Sequence, residues 1–310
     1  MIKILHLDEN HEVLRNGLSE LGFQNIFDFK SSKKEIEKKI SEFHGVVIRS
    51  RITIDKDLIN RAENLKFIAR VGSGTENIDC DYAKIKGIAV LSAGEGNANA
   101  VGEHCLSLIL SLFNNIIKSN NEINDNIWLR EENRGIELDG KTIGIIGYGK
   151  TGKSFAKKLS GFNVEILCND IVKNKGDKYS KQVTLDIIKS NCDVISLHTD
   201  LNKSSNYLIN KSFIGDCEKS FFLINTSRGQ CVKNSDLVDG IKNGKVLGAC
   251  LDVIENECSS FENLKDDGNL DFLKKSKKVI LTPHIAGWTF ESKIKLSKTI
   301  LEKIKSLFNK

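Results

Sequence analysis

Short apolar runs alternate with amphipathic stretches along this chain of 310 residues. Runs rich in Val, Ile and Leu predict buried strands, and apolar residues spaced three or four apart predict helices. Such alternation is typical of parallel βαβ construction. In the first part of the chain, the pattern predicts strands over 2–7, 46–48, 67–69 and 88–91, with helices over 32–43 and 54–62.

A second series of strands begins after Lys141. The apolar runs lie at 142–146, 164–168, 194–197, 221–224, 248–251 and 279–281. They are apolar on both faces, as in a sheet that helices cover on both sides. A long helix over about 98–117 precedes them, and an amphipathic helix over about 290–308 ends the chain. We therefore expect an α/β protein with two parallel-sheet domains of the Rossmann-like or flavodoxin-like kind.

Composition narrows the class of protein. The chain is 40% hydrophobic and 28% charged, which is typical of a globular protein. Its formal charge of +5 comes from lysines dispersed beside acidic residues, which favours a solvated surface over a nucleic-acid interface. No apolar run approaches the roughly 20 residues that span a bilayer, and the N-terminus reads directly into a strand. We expect a cytoplasmic protein with neither a nucleic acid nor a membrane as partner.

The eight cysteines form no C-x-x-C pair. Several lie inside apolar runs, so we expect small buried thiols in a reducing compartment and no metal site.

A glycine-rich turn predicts a dinucleotide site. The strand at 142–146 runs into Gly147, Tyr148, Gly149, Lys150, Thr151 and Gly152, and a helix pattern follows. In this motif the glycines allow a tight turn, a close approach of the pyrophosphate and close packing of helix on strand. Asp170 stands 18 residues after Gly152, at the end of the next strand. Because a carboxylate there accepts hydrogen bonds from ribose hydroxyls and repels a 2′-phosphate, we predict NAD as the cofactor.

The carboxyl ends of the later strands carry the remaining candidate residues. In open α/β sheets ligands bind at this edge. The segments after the strands contain His198 and Thr199; Thr226 and Arg228; Asp252, Glu255 and Glu257; and finally His284.

Arg, Glu and His at one sheet edge suit hydride-transfer chemistry on a 2-keto acid. Reduction places negative charge on the carbonyl oxygen, so a proton donor is needed, and His has a suitable pKa. We assign His284 as the acid/base and Arg228 as the anchor of the substrate carboxylate. Glu257 is assigned as the partner of His284; Glu255 competes for that role, and spacing alone does not separate them. Pro283, the single proline, is expected to fix the backbone that aims His284.

These segments together resemble the D-isomer-specific 2-hydroxyacid dehydrogenases over nearly the whole chain. The resemblance also rests on 71–79, 87–90, 97–103 and 281–287. It implies that Arg228, Glu257 and His284 are catalytic, that Asp252 binds the nicotinamide carboxamide, and that backbone amides of Ser73 and Gly74 hold the substrate carboxylate. It further implies that the NAD-binding domain is inserted into the substrate-binding domain. The expected domains are 1–97 and 287–310 for substrate, and 98–286 for NAD.

Within the family, the segment 47–53 is similar to the short phosphoglycerate dehydrogenases that lack a C-terminal regulatory domain. There Arg49 and Arg51 would meet a substrate phosphate; the alternative is that both are ordinary loop charges. The expected reaction is oxidation of 3-phosphoglycerate to 3-phosphohydroxypyruvate in serine biosynthesis. The alternatives are a hydroxypyruvate or glyoxylate reductase, and an NAD(H)-sensing corepressor-like binding protein. The helix at 98–117 resembles the family's dimerisation element, so we expect a homodimer acting on a small 2-hydroxy or 2-keto acid. Trp288 departs from the family pattern and puts the substrate in doubt.

Overall fold

The computed structural model describes residues 1–257 and 268–308. Two compact units divide the chain: Met1–Ala98 together with Trp288–Lys310, called unit one here, and Asn99–Gly287, called unit two. Each unit is built around its own parallel sheet, which confirms the predicted fold class.

Unit one has a five-stranded parallel sheet in the order β2-β1-β3-β4-β5, counting the described residues. Its strands are β1 (Lys3–His6), β2 (Gln24–Phe27), β3 (Gly45–Ile48), β4 (Phe67–Arg70) and β5 (Ala89–Ser92). Its helices are α1 (Glu12–Glu20), α2 (Lys33–Lys39), α3 (Lys56–Arg61), α4 (Cys80–Ile85) and the C-terminal α12 (Phe290–Phe308). The start of α5 (Gly94–Phe113) also belongs to this unit.

Helix α12 packs on unit one through its apolar stripe. Ile300, Leu301 and Ile304 share a buried cluster with Leu14 and Leu18 of α1. Lys303 donates hydrogen bonds to the main-chain oxygen of Ser92 and to the carboxylate of Glu95. The C-terminal helix is therefore part of the first sheet's core, although it is remote from that sheet in sequence.

Unit two contains a seven-stranded parallel sheet in the order β12-β11-β10-β9-β6-β7-β8 within the described residues. The strands are β6 (Thr142–Ile146), β7 (Glu165–Asn169), β8 (Lys181–Gln182), β9 (Val194–Leu197), β10 (Phe221–Asn225), β11 (Val246–Leu251) and β12 (Val279–Leu281). The remaining helices are α6 (Ile116–Asn124), α7 (Lys150–Leu159), α8 (Leu185–Asn191), α9 (Lys211–Asp216), α10 (Asn234–Lys242) and α11 (Gly268–Lys275). The sheet order reverses between β6 and β9, which is where open α/β sheets bind ligands.

The predicted helix over 98–117 is wrong at both ends. Helix α5 begins at Gly94 and ends at Phe113, and α6 starts at Ile116 after a break. Asn115 at the break has φ of 52°, a left-handed conformation that ends an α-helix and that asparagine tolerates better than most residues. No single helix of the described residues has the length and apolar composition to cross a membrane; the pair α5 and α6, bent by 59°, meets that test together.

The cysteines of the described part of the chain are all free thiols, and all but Cys80 are buried. Burial raises the pKa of Cys105 to about 12 and that of Cys192 to about 12, so both remain protonated. Cys258 lies outside the described residues. Among the described residues no group of three or more His, Cys, Asp or Glu side chains is arranged to hold a metal ion.

Candidate active site

Three neighbouring strands of unit two bring the proposed catalytic segments to one sheet edge. Their last residues are in register: Asn225 of β10 pairs with Leu251 of β11, which pairs with Leu281 of β12. Parallel strands point their carboxyl ends the same way, so the loops that follow begin side by side. Arg228 and His284 each lie three residues beyond these ends.

Glu257 and His284 form a direct hydrogen-bonded pair. The distance from Nδ1 of His284 to Oε2 of Glu257 is 2.7 Å, and both side chains are largely buried. The other carboxylate oxygen of Glu257 accepts a hydrogen bond of 2.7 Å from the amide of Ile254, which holds the carboxylate in place. An ionised carboxylate only accepts, so Nδ1 carries the proton and Nε2 is the basic nitrogen of the neutral imidazole.

The competing carboxylate, Glu255, has a different task. One of its oxygens accepts a hydrogen bond of 2.6 Å from the hydroxyl of Tyr207, and the other accepts the amide of Asn234 at 2.9 Å. The hydrogen bond to Glu255 raises the pKa of Tyr207. Glu255 thus holds the start of α10, and the geometry favours Glu257 as the partner of His284.

His284 itself has a left-handed backbone with φ of 55°. Its amide donates to the main-chain oxygens of Asp252, at 2.8 Å, and Thr282, at 3.0 Å. The following amides of Ile285 and Ala286 donate to the two carboxylate oxygens of Asp252, each at 2.8 Å. The sequence predicted that Pro283 fixes the backbone that orients His284. The structure adds a second constraint, because the buried carboxylate of Asp252 holds the loop after His284.

Asp252 was predicted to bind the nicotinamide carboxamide. Its carboxylate is 2% exposed and accepts the hydroxyl of Thr282 at 2.6 Å in addition to the two amides. A carboxylate offers about four acceptor positions, and these three bonds use most of them. The predicted contact stays a prediction, and Asp252 also organises the loop that carries His284.

His104 is a neighbour of this network that the sequence analysis missed. Its Nε2 lies 3.1 Å from the hydroxyl of Thr282 and 3.5 Å from the carboxylate of Asp252. His104 lies on α5, far in sequence from Thr282 and Asp252. Its position on the inward face of that helix was the only indication in the sequence that it contacts them.

Arg228 lies beside the segment that carries Glu257. The next residue, Gly229, contacts the main chain of Ile254 so closely that a Cβ atom would lie 1.9 Å from the Ile254 oxygen. Only glycine allows the two loops to meet in this way. Nη1 of Arg228 donates a hydrogen bond of 2.7 Å to the oxygen of Ser227, and Asn225 donates to the oxygen of Arg228 at 3.0 Å.

The glycine turn after β6 has the form of a dinucleotide cradle. Gly147 has φ of 91°, and a Cβ there would lie 2.6 Å from the oxygen of His198, across the point where the sheet order reverses. Around Gly149 the space is open: a Cβ would have no neighbour within 4 Å. Among the described residues no side chain caps the N-terminus of α7, so first-turn amides such as that of Thr151 suit a pyrophosphate. These features fit NAD.

Two of the predicted cofactor residues are turned inward. Tyr148 is fully buried, and its hydroxyl donates to Asp177 at 2.8 Å. Burial lowers the pKa of His198 to about 3, so its imidazole is neutral and hydrogen-bonds to Ser196 at 2.9 Å. Any contact of Tyr148 or His198 with the cofactor must therefore come from the main chain.

Asp170 fixes the turn as well as standing at the predicted ribose position. Its carboxylate accepts the amides of Tyr148 at 2.8 Å and Val172 at 2.9 Å. The half-buried hydroxyls of Thr199 and Thr226 lie 3.6 Å and 3.2 Å from the sulfurs of Cys231 and Cys105, respectively. Their contacts with NAD stay predictions.

In unit one, the structure separates the two predicted phosphate-binding arginines. The guanidinium of Arg51 donates to three main-chain oxygens, those of Leu7, Ser31 and Asp28. The guanidinium of Arg49 has no hydrogen-bond acceptor among the described residues, and its carbon atom lies 4.3 Å from the ring centre of Trp288. Arg51 therefore ties loops together, whereas the donors of Arg49 are not engaged in this way.

Arg49 also occupies the point where the order of the first sheet reverses. It follows β3, next to β1, and its amide donates to the carboxylate of Asp8, just after β1, at 2.6 Å. Burial lowers the pKa of Arg49, and the Asp8 charge partly offsets this effect. A guanidinium stays protonated even so, and one that has lost part of its hydration gains more from an anion.

The adjacent strand adds a residue that the sequence analysis missed. Arg70 ends β4 and pairs in register with Ile48, the residue before Arg49. Its guanidinium covers the start of the glycine turn: a Cβ at Gly72 would lie 2.3 Å from Nη1. A basic residue at a strand end directly before this turn was the available signal.

The turn itself presents unused donors. Within the described part of the chain, the amides of Ser73 and Gly74 donate to no acceptor. The hydroxyl of Ser73 donates to Asn97 at 3.0 Å, which fixes the turn against the start of α5. Two successive amides without acceptors fit the predicted contact with a carboxylate.

Comparison with known proteins agrees with this geometry. The NAD-binding domain of the D-isomer-specific 2-hydroxyacid dehydrogenases matches residues 106–286. A hydroxypyruvate reductase of Thermotoga maritima is 34% identical over 272 residues, 88% of this chain and 87% of that protein. A D-3-phosphoglycerate dehydrogenase of Archaeoglobus fulgidus is 33% identical over 88% of this chain but only 51% of its own length.

The chain thus spans about half the length of the phosphoglycerate dehydrogenases that it matches. Among solved structures, a D-lactate dehydrogenase of Aquifex aeolicus, complexed with NAD and lactic acid, has a TM-score of 0.84 and 26% identity, covering 99% of this chain and 95% of that one. The chain belongs to the family of D-isomer-specific 2-hydroxyacid dehydrogenases and carries its NAD-binding domain.

Proposed function

We propose that this protein is an NAD-dependent dehydrogenase that oxidises D-2-hydroxy acids or reduces the corresponding keto acids. The observation that carries the proposal is the 2.7 Å hydrogen bond between Glu257 and His284, at the strand edge that also bears Arg228. It supplies an imidazole oriented by a carboxylate, whose basic nitrogen is Nε2. NAD, when bound, takes up or supplies the hydride.

The residues then act as follows. In oxidation, Nε2 of neutral His284 accepts the hydroxyl proton as the hydride leaves the carbon atom. In reduction, the protonated imidazole returns that proton to the carbonyl oxygen. Glu257 stabilises the imidazolium in both directions, and Arg228 anchors the substrate carboxylate. Ser73 and Gly74 complete the proposed set of substrate-binding residues.

The substrate that we propose is 3-phosphoglycerate, in a reaction that would serve serine biosynthesis. Arg49 supports this choice, because a guanidinium at a sheet switch point, with no acceptor among the described residues, suits a phosphate. Arg51, whose donors are engaged, no longer supports it. The second candidate is hydroxypyruvate, favoured by the relative from Thermotoga maritima, whose length this chain nearly spans.

Replacing the paired carboxylates separates Glu257 from Glu255. Glu257→Gln should lower kcat by about 10²-fold or more, because the imidazole loses the charge that orients it and stabilises its protonated form. Glu255→Gln is the matched control, since its partners are Tyr207 and Asn234, and we expect a small change in kcat. Steady-state kinetics with NADH and hydroxypyruvate measure both. Equal losses in the two variants would contradict the assignment.

Arg49→Ala tests the substrate. It should raise the KM for 3-phosphohydroxypyruvate about 10- to 100-fold, the loss expected for charge-assisted hydrogen bonds, and leave the KM for hydroxypyruvate nearly unchanged. Following NADH absorbance with both keto acids gives the two constants. An equal effect on both would exclude the phosphate and leave hydroxypyruvate as the better candidate.

We also propose that the protein is a homodimer, in which a second copy covers α6 and the loop after it. Seven of the eighteen exposed large hydrophobic side chains of the described residues lie between Ile116 and Ile136, including Trp128 at 81% exposure. Patches of this kind on soluble proteins mark interfaces.

Sedimentation equilibrium tests the dimer. The protein should sediment at twice the 34.6 kDa of one chain, and Trp128→Asp should shift it toward the monomer because a charge would be buried at the interface. A wild-type protein that sediments as a monomer at micromolar concentration would rule out the proposal.

A further inference from the structure

Trp288 and Arg49 form a stacked pair within unit one. The guanidinium carbon of Arg49 lies 4.3 Å from the ring centre of Trp288, well inside the distance at which a cation over an indole is attracted. Trp288 is 62% exposed, so the contact with Arg49 lies outside the core. The stack is a surface feature of the sheet's carboxyl edge.

The backbone that carries Trp288 is fixed. Trp288 comes directly before Thr289, whose hydroxyl oxygen accepts the amide of Ser292 at 3.0 Å and caps the start of α12. Helix α12 is in turn anchored to unit one by its buried stripe and by Lys303. The main chain on the C-terminal side of Trp288 is therefore anchored, and the indole contacts Arg49 from that position.

The indole of Trp288 covers one face of the Arg49 guanidinium and leaves the N–H groups at the edge of the guanidinium uncovered. An Arg side chain donates hydrogen bonds in the plane of the guanidinium, whereas an aromatic ring contacts the face of that plane. Both contacts can therefore exist together. Covering the face also limits the rotamers of Arg49 and removes water from one side, so less entropy is lost when an anion binds at the edge.

Arg51, in the same loop, is a useful comparison because its role is structural. Three of its donors reach main-chain oxygens. Arg49 has the opposite arrangement: a stacked face, half-buried surroundings and an edge without a protein acceptor among the described residues. Such an edge accommodates two oxygens of one planar or tetrahedral oxyanion.

We infer that Trp288 is a specificity-determining residue: by stacking on Arg49 it selects 2-hydroxy acids that carry a second, terminal oxyanion. The inference rests on the proposed function, in which Arg49 binds the substrate phosphate. Trp288 would set how strongly Arg49 prefers an anionic substrate. Trp288 stands four residues after His284 in the chain, so one short segment carries both the acid/base and the selecting residue.

Kinetics of substituted proteins test the pair. Trp288→Ala should raise the KM for 3-phosphohydroxypyruvate about 3- to 30-fold, the range expected for a cation–π contact, and leave the KM for hydroxypyruvate unchanged. Trp288→Phe retains an aromatic face and should lose less. Phe290→Ala is the matched control, because Phe290 is 91% exposed and no cation stacks on it among the described residues. It should change neither constant.

Binding without turnover gives a second readout. The chain has two tryptophans, so in a Trp128→Phe background Trp288 is the only indole. In the absence of NAD, 3-phosphoglycerate should change the Trp288 fluorescence saturably, while D-glycerate at the same concentration should not. Adding Arg49→Ala should abolish the change. Equal responses to the two ligands, or a response that survives Arg49→Ala, would overturn the inference.

The outcomes separate this inference from the proposed substrate. If Arg49→Ala affects both keto acids equally, the phosphate proposal fails and the inference fails with it. If Arg49→Ala is selective but Trp288→Ala is not, the proposed substrate stands and only the role of Trp288 is wrong. If Trp288→Ala weakens both substrates equally, the indole shapes the pocket in general, which also contradicts the inference.

Discussion

The buried carboxylate of Asp252 is the constraint on which the proposed catalytic edge of unit two depends. It is 2% exposed, and burying a charge is unfavourable unless several donors compensate. Here Thr282, Ile285 and Ala286 supply those donors, and all three flank His284. The same bonds hold His284 in a left-handed conformation that costs about 1–2 kcal/mol for a residue with a Cβ. The conformation of the loop is thus set by the hydrogen bonds to the Asp252 carboxylate and not by the backbone preference of the loop's own residues.

The predicted strands of the second unit had closer bounds than those of the first, for a physical reason, although β8 and helices α8 to α11 were not predicted. Strands buried on both faces give continuous apolar runs, and three of them, at 142–146, 194–197 and 279–281, coincide with the observed strands. Strand β2 and helices α1 and α4 have short or partly exposed faces, and the hydrophobic pattern did not predict them. The final helix was found with its exact bounds, because an amphipathic stripe of five turns is a strong signal.

The site shows the same division between topology and side-chain detail. Strand ends and the glycine turn could be read from the chain, since parallel strands must end at one edge. What could not be read is how each polar side chain uses its donors. Spacing alone did not separate Glu255 from Glu257, and only the family resemblance favoured Glu257. The three-dimensional partners distinguish these two glutamates, and they also distinguish Arg49 from Arg51. His104 was missed because its partners are remote in sequence, whereas Arg70 was missed although it directly precedes the glycine turn that it covers.

The central claim is that His284, oriented by Glu257 on a loop fixed by Asp252, moves the proton that accompanies hydride transfer. The most direct measurement is a single-turnover experiment on His284→Ala, with NADH binding followed by fluorescence in the same samples. We expect NADH to bind as in the wild type and the oxidation of bound NADH by hydroxypyruvate to slow by about 10²- to 10⁴-fold. Oxidation at an undiminished rate with NADH bound would contradict the account.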